Sequence, residues 1–283
     1  MNEMTGTGWL ITGAGSGLGN ALARTVIDRG GCVFGTARDA AALERIDVLA
    51  PGRSIGYRLD VRDDVAVSEA VVAAEEALDG IDVLVNNAGY QLTGAVEELS
   101  ASELRAQFDV NVFGALAMVQ SVLPHMRRRM SGMIVNISSV SGLATWAGTG
   151  GYCASKFALE ALGETLAQEV GPLGIRVMQV APGGMRTDFT GRSMARAERR
   201  IDDYADSAHE SEKIIARYRG REPGDPARAA AAIVRAVCAP EPPLHLLLGA
   251  DALYYYGRKA GELQKEIALW APLAMSIAAD DSD

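Results

Sequence analysis

Tyr152 and Lys156 lie in the run Gly151-Tyr152-Cys153-Ala154-Ser155-Lys156-Phe157, and Ser139 stands thirteen residues before the tyrosine. On a helix, residues four apart share a face, so the lysine ammonium can stand beside the phenol. A free phenol has a pKa of about 10 and exchanges protons poorly at neutral pH. A positive charge at about 4 Å, in an effective dielectric of about 20, is worth roughly 4 kcal/mol, enough to lower that pKa by about three. The spacing therefore predicts a phenol drawn toward neutrality, where a general acid–base group works best. A surface pair with the lysine stem packed on the ring has the same spacing, so the rest of the chain must decide.

The elements that would position these groups alternate. Strands are predicted at 9–12, 32–36, 55–59, 82–85, 133–137, 175–180 and 244–248. Helices are predicted at 18–28, 40–49, 64–78, 101–128, 152–170 and 226–237, the last with Asp225 as N-cap and Pro226 at its first position. Such alternation implies parallel strands joined by right-handed crossovers. The expected fold is α/β: a doubly wound, mainly parallel, seven-stranded Rossmann-type sheet with helices on both faces. Its ligand crevice lies beyond the carboxyl ends of the strands.

Each remaining motif follows a predicted strand. Thr12-Gly13-Ala14-Gly15-Ser16-Gly17-Leu18-Gly19 joins the first strand to the first helix. Glycines let the backbone approach a pyrophosphate, and the helix N-terminus supplies N–H donors and positive dipole charge. At the end of the second strand, Ala37 stands where an acid would select NAD, and Arg38 follows; an arginine can pair with a 2′-phosphate, so NADP is expected over NAD. Asp39 could instead neutralise Arg38. Asp60-Val61 follows the third strand and either meets the adenine edge or has its aspartate cap the next helix. Asn86-Asn87-Ala88-Gly89 follows the fourth and can lock the sheet beside the cofactor.

Together these motifs resemble the short-chain dehydrogenase/reductase family. The resemblance rests on Thr12 to Gly19, Asn86 to Gly89, Asn111, Ser139, Tyr152 with Lys156, and Pro182-Gly183 with Thr187. The run from Gly151 to Leu162 is most similar to the 17β-hydroxysteroid and retinol dehydrogenase branch. The resemblance implies that Tyr152 exchanges the proton on the substrate oxygen and Ser139, rather than its neighbour Ser138, hydrogen-bonds that oxygen. Lys156 would lower the phenol pKa and hold the nicotinamide ribose, and Asn111 would complete a water-linked relay to it. The cofactor set so implied is Gly13, Gly15, Ser16, Gly17, Leu18, Gly19, Arg38, Asp60, Val61, Asn87, Ala88, Gly89, Tyr152, Lys156, Pro182, Gly183, Met185 and Thr187. A homodimer or homotetramer is also implied.

On the substrate side, residues 188–223 carry seven arginines among acids. Ile201, Tyr204, Ala205 and Ala208 recur at helical spacing, as do Ile214, Ile215 and Tyr218. An amphipathic lid is expected there. Gln91, Val140, Leu143, Trp146 and Phe189 fall on crevice loops and predict an apolar pocket for a steroid-, retinoid- or aromatic-ketone-like substrate. The same fold without chemistry would be a nucleotide sensor or an assembly protein; the intact Ser139, Tyr152, Lys156 and Asn111 favour catalysis.

Composition bounds the rest. The chain has 283 residues, 48% hydrophobic and 22% charged, with no repeat or linker, so a single domain over 1–283 is expected. A net charge of −9 argues against nucleic-acid binding. Cys32, Cys153 and Cys238 lie far apart without metal spacing, which predicts no metal site and a reducing, cytoplasmic setting. No leader or membrane span is expected. The apolar run 267–277, interrupted by Pro272, belongs to a segment at about 250–283. This segment is expected to dock on the core or on a subunit partner, with interfacial membrane contact as the alternative.

Overall fold

The computed structural model describes residues 4–187 and 189–278. The first strand, β1 (Gly8–Ile11), shows how the sheet is built. All four residues are buried, as befits a strand covered on both faces. Trp9 and Ile11 join one apolar cluster, and Leu10 joins the other. Successive side chains thus feed two cores, one on each side of the sheet.

Around β1 lie β2 (Cys32–Ala37), β3 (Ser54–Arg58), β4 (Val83–Asn86), β6 (Gly132–Ile137), β7 (Ile175–Pro182) and β9 (His245–Leu248), ordered β3-β2-β1-β4-β6-β7-β9 and parallel throughout. The helices α1 (Gly17–Asp28) and α9 (Pro226–Val237) close one face. On the other lie α3 (Asp64–Leu78), α5 (Gly114–Arg129) and α6 (Gly150–Val170). This is the expected doubly wound sheet. The chain winds outward in both directions from β1 and β4, and the crevice opens where the order reverses.

The caps explain several boundaries. Asp225 accepts from Ala227 and Arg228 N–H groups at 2.8 and 2.9 Å, with Pro226 opening α9 as expected. Asp63 caps α3 through Val65 and Ala66 N–H groups. Helix α2 (Ala40–Asp47) starts at Asp39, whose carboxylate accepts from the Ala41 N–H.

Four features differ from the sequence reading. The expected single helix over 101–128 is α4 (Ala101–Phe108) and α5, joined by a π-helical turn at Asp109–Phe113. Two three-residue strands, β5 (Gln91–Thr93) and β8 (Met194–Arg196), pair in a second parallel sheet; each is too short to leave a periodic signal. Within the lid segment, 201–205 forms only a short 3₁₀ turn, while α7 (Phe189–Arg192) and α8 (Ala208–Tyr218) are helical. Asp188, where the lid was expected to begin, lies outside the described residues, as do 279–283 at the end of the docking segment. Finally, α10 (Ala250–Met275) continues through Pro272.

One helical span among the described residues, 101–129, is long and apolar enough to cross a membrane. Its Met118, Val119, Val122 and Met126 are buried in the core beside α3, which accounts for the apolar character.

Candidate active site

The glycine loop leads from β1 into α1. Gly13 has φ +67°, and a Cβ there would lie 3.1 Å from Asn87 Nδ2. Gly17 opens α1 at φ +53°, a conformation costly for other residues. Gly19 packs so closely that a Cβ would sit 2.5 Å from both Asn87 Nδ2 and the Gly13 carbonyl; it is not among the cleft-lining residues. Ser16, at the N-cap, makes no side-chain cap bond, leaving the first N–H groups of α1 unsatisfied by that hydroxyl. The loop borders a cleft of about 1290 Å³, above the roughly 300–1,000 Å³ common for one small ligand. A dinucleotide plus a substrate fits these residues: glycines where the backbone must come close, helix N–H donors for the pyrophosphate, and room beyond.

The catalytic candidates converge at the other end of this cleft. Tyr152 and Lys156, one turn apart on α6, are both buried, and Ser139 begins the 3₁₀ turn Val140–Gly142 just past β6. All three line the cleft. Ser139 Oγ accepts from the Ser141 N–H at 3.1 Å, which fixes its rotamer. Ser138 also lines the cleft, but its Oγ, like Glu160, crowds Gly142.

The electrostatics differ from the expectation. Burial pushes the Tyr152 phenol above its ordinary value, partly opposed by the Ser139 hydroxyl. Lys156 sits 5.9 Å from the tyrosine ring centroid, and its ammonium donates to the Ile137 carbonyl at 2.7 Å. Burial also brings Lys156 down to about 8, against the pull of Glu160. Helical spacing placed the two groups on one face but carried no information on desolvation, which here is the main influence on both.

Asn111 lies in the π-helical turn and is buried. Its Oδ1 accepts from the Tyr90 N–H at 3.0 Å, and its Nδ2 donates to the Tyr90 carbonyl at 2.9 Å and to Ser155 Oγ at 3.0 Å. The side chain thus clamps the segment after β4 to α6 rather than pointing to Lys156. Asn111 Oδ1 and Lys156 Nζ both border the space a Cβ on Gly89 would enter.

At the opposite end, Arg38 lines the cleft beside Ala37. Asp39 is occupied as the α2 cap, and Arg45 Nη2 donates to the Gly15 carbonyl at 3.2 Å. Asp60 lines the cleft too but caps no helix, since Asp63 does; Arg62 binds it at 2.6 Å and lowers its pKa. At the end of β7 and just after it, Pro182, Gly183, Met185 and Thr187 line the cleft, with Thr187 packed over Gly17.

A model of the short chain dehydrogenase family matches residues 9–198. The chain belongs to that family. It is 37% identical, over 85% of its length and 87% of the other, to a 3-ketodihydrosphingosine reductase of Bacteroides thetaiotaomicron. A short-chain dehydrogenase from Streptomyces avermitilis superposes with a TM-score of 0.90 at 38% identity, covering 96% of this chain and 100% of that one. Another from Burkholderia phymatum, in complex with NAD, gives 0.81 at 28% identity over 93% and 97%. The protein is therefore an oxidoreductase acting on a CH–OH/C=O pair with a nicotinamide nucleotide.

Gln91, Val140, Trp146 and Phe189 line the same cleft of this short-chain dehydrogenase, near Tyr152. Phe189 stands 6.0 Å from Tyr152 between ring centroids. Leu143 ends the 3₁₀ turn and does not line the cleft: turn geometry, invisible in a loop sequence, carries it away. Sequence reasoning missed Asp251 and Tyr255, which reach the cleft from the first turns of α10. Asp251 accepts from the Gly184 N–H at 2.7 Å, and Tyr255 meets Trp146 edge-on at 5.3 Å. The "Asp after a glycine, opening a helix" pattern at Gly249–Asp251 was the available signal. Ile214 and Ile215 of α8 also face the cleft.

Proposed function

We propose that the protein is an NADP-dependent reductase of a lipophilic ketone or aldehyde, with Tyr152 as its proton donor. The observation that carries this reading is that Ser139, Tyr152 and Lys156 line the same cleft as the glycine loop, with Trp146, Phe189 and Val140 beside them. Gly13, Gly15, Ser16, Gly17 and Leu18 would hold the pyrophosphate, and Arg38 the 2′-phosphate, with Arg45 close by. Asp60 and Val61 would border the adenine, and Asn87, Ala88 and Gly89 the adjoining ribose. Lys156 and Tyr152 would hold the nicotinamide ribose, and Pro182, Gly183, Met185 and Thr187 the carboxamide. When bound, the nicotinamide supplies or accepts the hydride.

The chain's own residues then handle the proton. Ser139 donates to the substrate oxygen as negative charge grows there. Tyr152, held above the ordinary phenol range, is protonated at neutral pH and gives its proton to that oxygen. Lys156, at about 8, is mainly charged at pH 7 and offsets the phenolate that remains. Asn111 is a positioning residue, holding Tyr90 and α6 in place; its link to Lys156 would run through its main chain and water.

The lid reading rests on Ile214 and Ile215 facing the cleft and on anchors to the segment before α4. The Bacteroides relative's name, that of a ketone reductase, supports a carbonyl substrate. The separated free cysteines support a cytoplasmic setting, and the family supports a homodimer or homotetramer.

The test is turnover by the purified full chain against steroids, retinoids and aromatic and aliphatic carbonyls, with NADPH and NADH in parallel. Oxidation of NADPH by an apolar carbonyl, lost in Tyr152→Phe with nucleotide binding kept, supports the proposal. Faster turnover with NADH or with small polar substrates rejects the corresponding part.

A further inference from the structure

Among the described residues, helix α10 is held to the body near its start. Ala252 is buried, Asp251 bonds the Gly184 N–H, and Tyr255 packs on Trp146. Residues 262–270 and 272–278 are all exposed, with Ile267 at 59%, Trp270 at 60% and Leu273 at 62%. Among the described residues, the apolar run at 267–277 does not dock on this chain's own core.

A set of apolar side chains along α10, exposed except for the half-buried Ala260, follows a pattern. Leu253, Tyr256, Ala260, Leu263, Ile267, Trp270 and Ala274 recur at alternating intervals of three and four, and Ile277 continues the series. This is the a/d spacing of a seam that pairs with another helix. Asp251, Arg258, Lys265 and Pro272 share the position opposite the seam. Of the body-contacting residues, Asp251 lies opposite the seam and Tyr255 beside that position, while the buried Ala252 shares the flanking position of Lys259 and Glu266; the proline falls where a partner helix would not press. Arg258 and Glu262 pair within the helix at 3.5 Å, also off the seam. Lys259 and Glu266 flank the seam and make no hydrogen bond or ion pair with the described residues.

We propose that α10 pairs antiparallel with α10 of a second copy of this chain, about a two-fold axis between residues 261 and 262. In this register Leu253 faces Trp270 of the second copy, Tyr256 faces Ile267 and Ala260 faces Leu263, large against small or flat. The same register sets Lys259 against Glu266 of the second copy, and by symmetry does so twice. A shift of one heptad either way opposes Glu266 to Glu266 or Lys259 to Lys259. Parallel pairing brings no acid against a base. Charge therefore selects one arrangement from the several that the apolar seam allows. The pairing also brings the second copy's Trp270 beside the start of α10, where Tyr255 borders the cleft.

Two measurements on the full chain test this. Ala260→Cys with Leu263→Cys should give disulfide-linked dimers on mild oxidation, whereas Leu269→Cys, on the outer side, should not. In sedimentation velocity, Lys259→Glu and Glu266→Lys should each weaken self-association by about tenfold or more, and the double exchange should restore it. Lys259, Leu263, Glu266 and Leu269 are exposed and Ala260 is half-buried, and retained nucleotide binding confirms a folded body. Indifference of association to every charge change, or equal cross-linking from Leu269→Cys, overturns the proposal. So does co-sedimentation with phosphatidylcholine/phosphatidylserine vesicles without cross-linking, which would assign the apolar seam to a membrane surface.

Discussion

Asn87 and Thr12 are joined twice, by the Asn87 N–H to Thr12 Oγ1 and by Asn87 Nδ2 to the Thr12 carbonyl, each at 2.9 Å. The same Oγ1 also accepts from the Ala88 N–H at 3.0 Å. One hydroxyl therefore satisfies two donors at the end of β4 and ties them to the start of the glycine loop. Thr12→Val keeps the shape and removes the acceptor. A buried donor left unpaired costs about 1–3 kcal/mol, so chemical denaturation should show a loss of that order, and nucleotide affinity should fall with it. Unchanged stability would mean that water takes over both bonds.

Tyr152 and Ser139 are separable by kinetics. Tyr152→Phe removes the proton donor and should lower kcat by about 10²–10⁴-fold while nucleotide affinity stays within a few-fold. Ser139→Ala removes a donor to the developing oxyanion and should cost about 10²–10³-fold. If both variants keep native turnover, the acid–base reading of the cleft is wrong.

The strands, the glycine loop and the Tyr152–Lys156 pair were legible because each leaves a local mark: an apolar run, a glycine spacing, a helical interval. The π-helical turn at Asn111 was not, since an extra backbone residue per turn changes no side-chain type. Neither was the β5–β8 sheet, whose strands depend on pairing across about a hundred residues. The same blindness applies to Asp60, where sequence offered adenine contact or a cap and the structure supplies Arg62 as its neighbour. It applies as well to the tyrosine, whose spacing announced a lysine but not the burial that governs its protonation.

Lys156 gives a stability test with a defined sign. Its pKa falls from 10.5 to about 8 on folding, so between these values the unfolded chain binds more protons. Stability should therefore rise with pH across that window, and the cost of burying the charge is fully present below pH 8. Lys156→Met lacks this dependence. The stability of the native chain relative to Lys156→Met should increase by up to about 3 kcal/mol between pH 7 and pH 10.5, measured by urea denaturation at each pH. A constant difference would show that the ammonium is better solvated than its burial suggests.

Arg38 should govern coenzyme choice. With Asp39 engaged at the α2 cap, the guanidinium is left to the cleft. Charge-assisted hydrogen bonds contribute about 1.5–3 kcal/mol. Arg38→Ala should accordingly raise the KM for NADPH by about 10–100-fold and leave that for NADH nearly unchanged; Ala37→Asp should add affinity for NADH. Equal effects on both coenzymes would remove the argument for a 2′-phosphate site.

The anchor of the proposed lid is Glu98. Its Oε1 accepts from the Ile201 N–H and lies 2.7 Å from His209 Nε2, while Oε2 accepts from the Ala95 N–H at 2.8 Å. Burial alone would raise this carboxyl, but the two N–H groups and His209 outweigh it and hold it at about 2. A lowered carboxylate pKa stabilises the fold above the unfolded value near 4.5, and that contribution is lost as pH falls toward 2. The anchor therefore persists through the whole range in which the enzyme would work. Glu98→Gln keeps the size but turns an amide N–H toward a backbone N–H, breaking one bond and removing the charge facing His209. The carbonyl substrate's KM should rise by about tenfold, with the nucleotide's unchanged, and limited proteolysis should cut between 193 and 218 faster than in the native chain. Faster cleavage with an unchanged substrate KM would make this segment a structural excursion; a shift in both Michaelis constants would place the damage in the sheet.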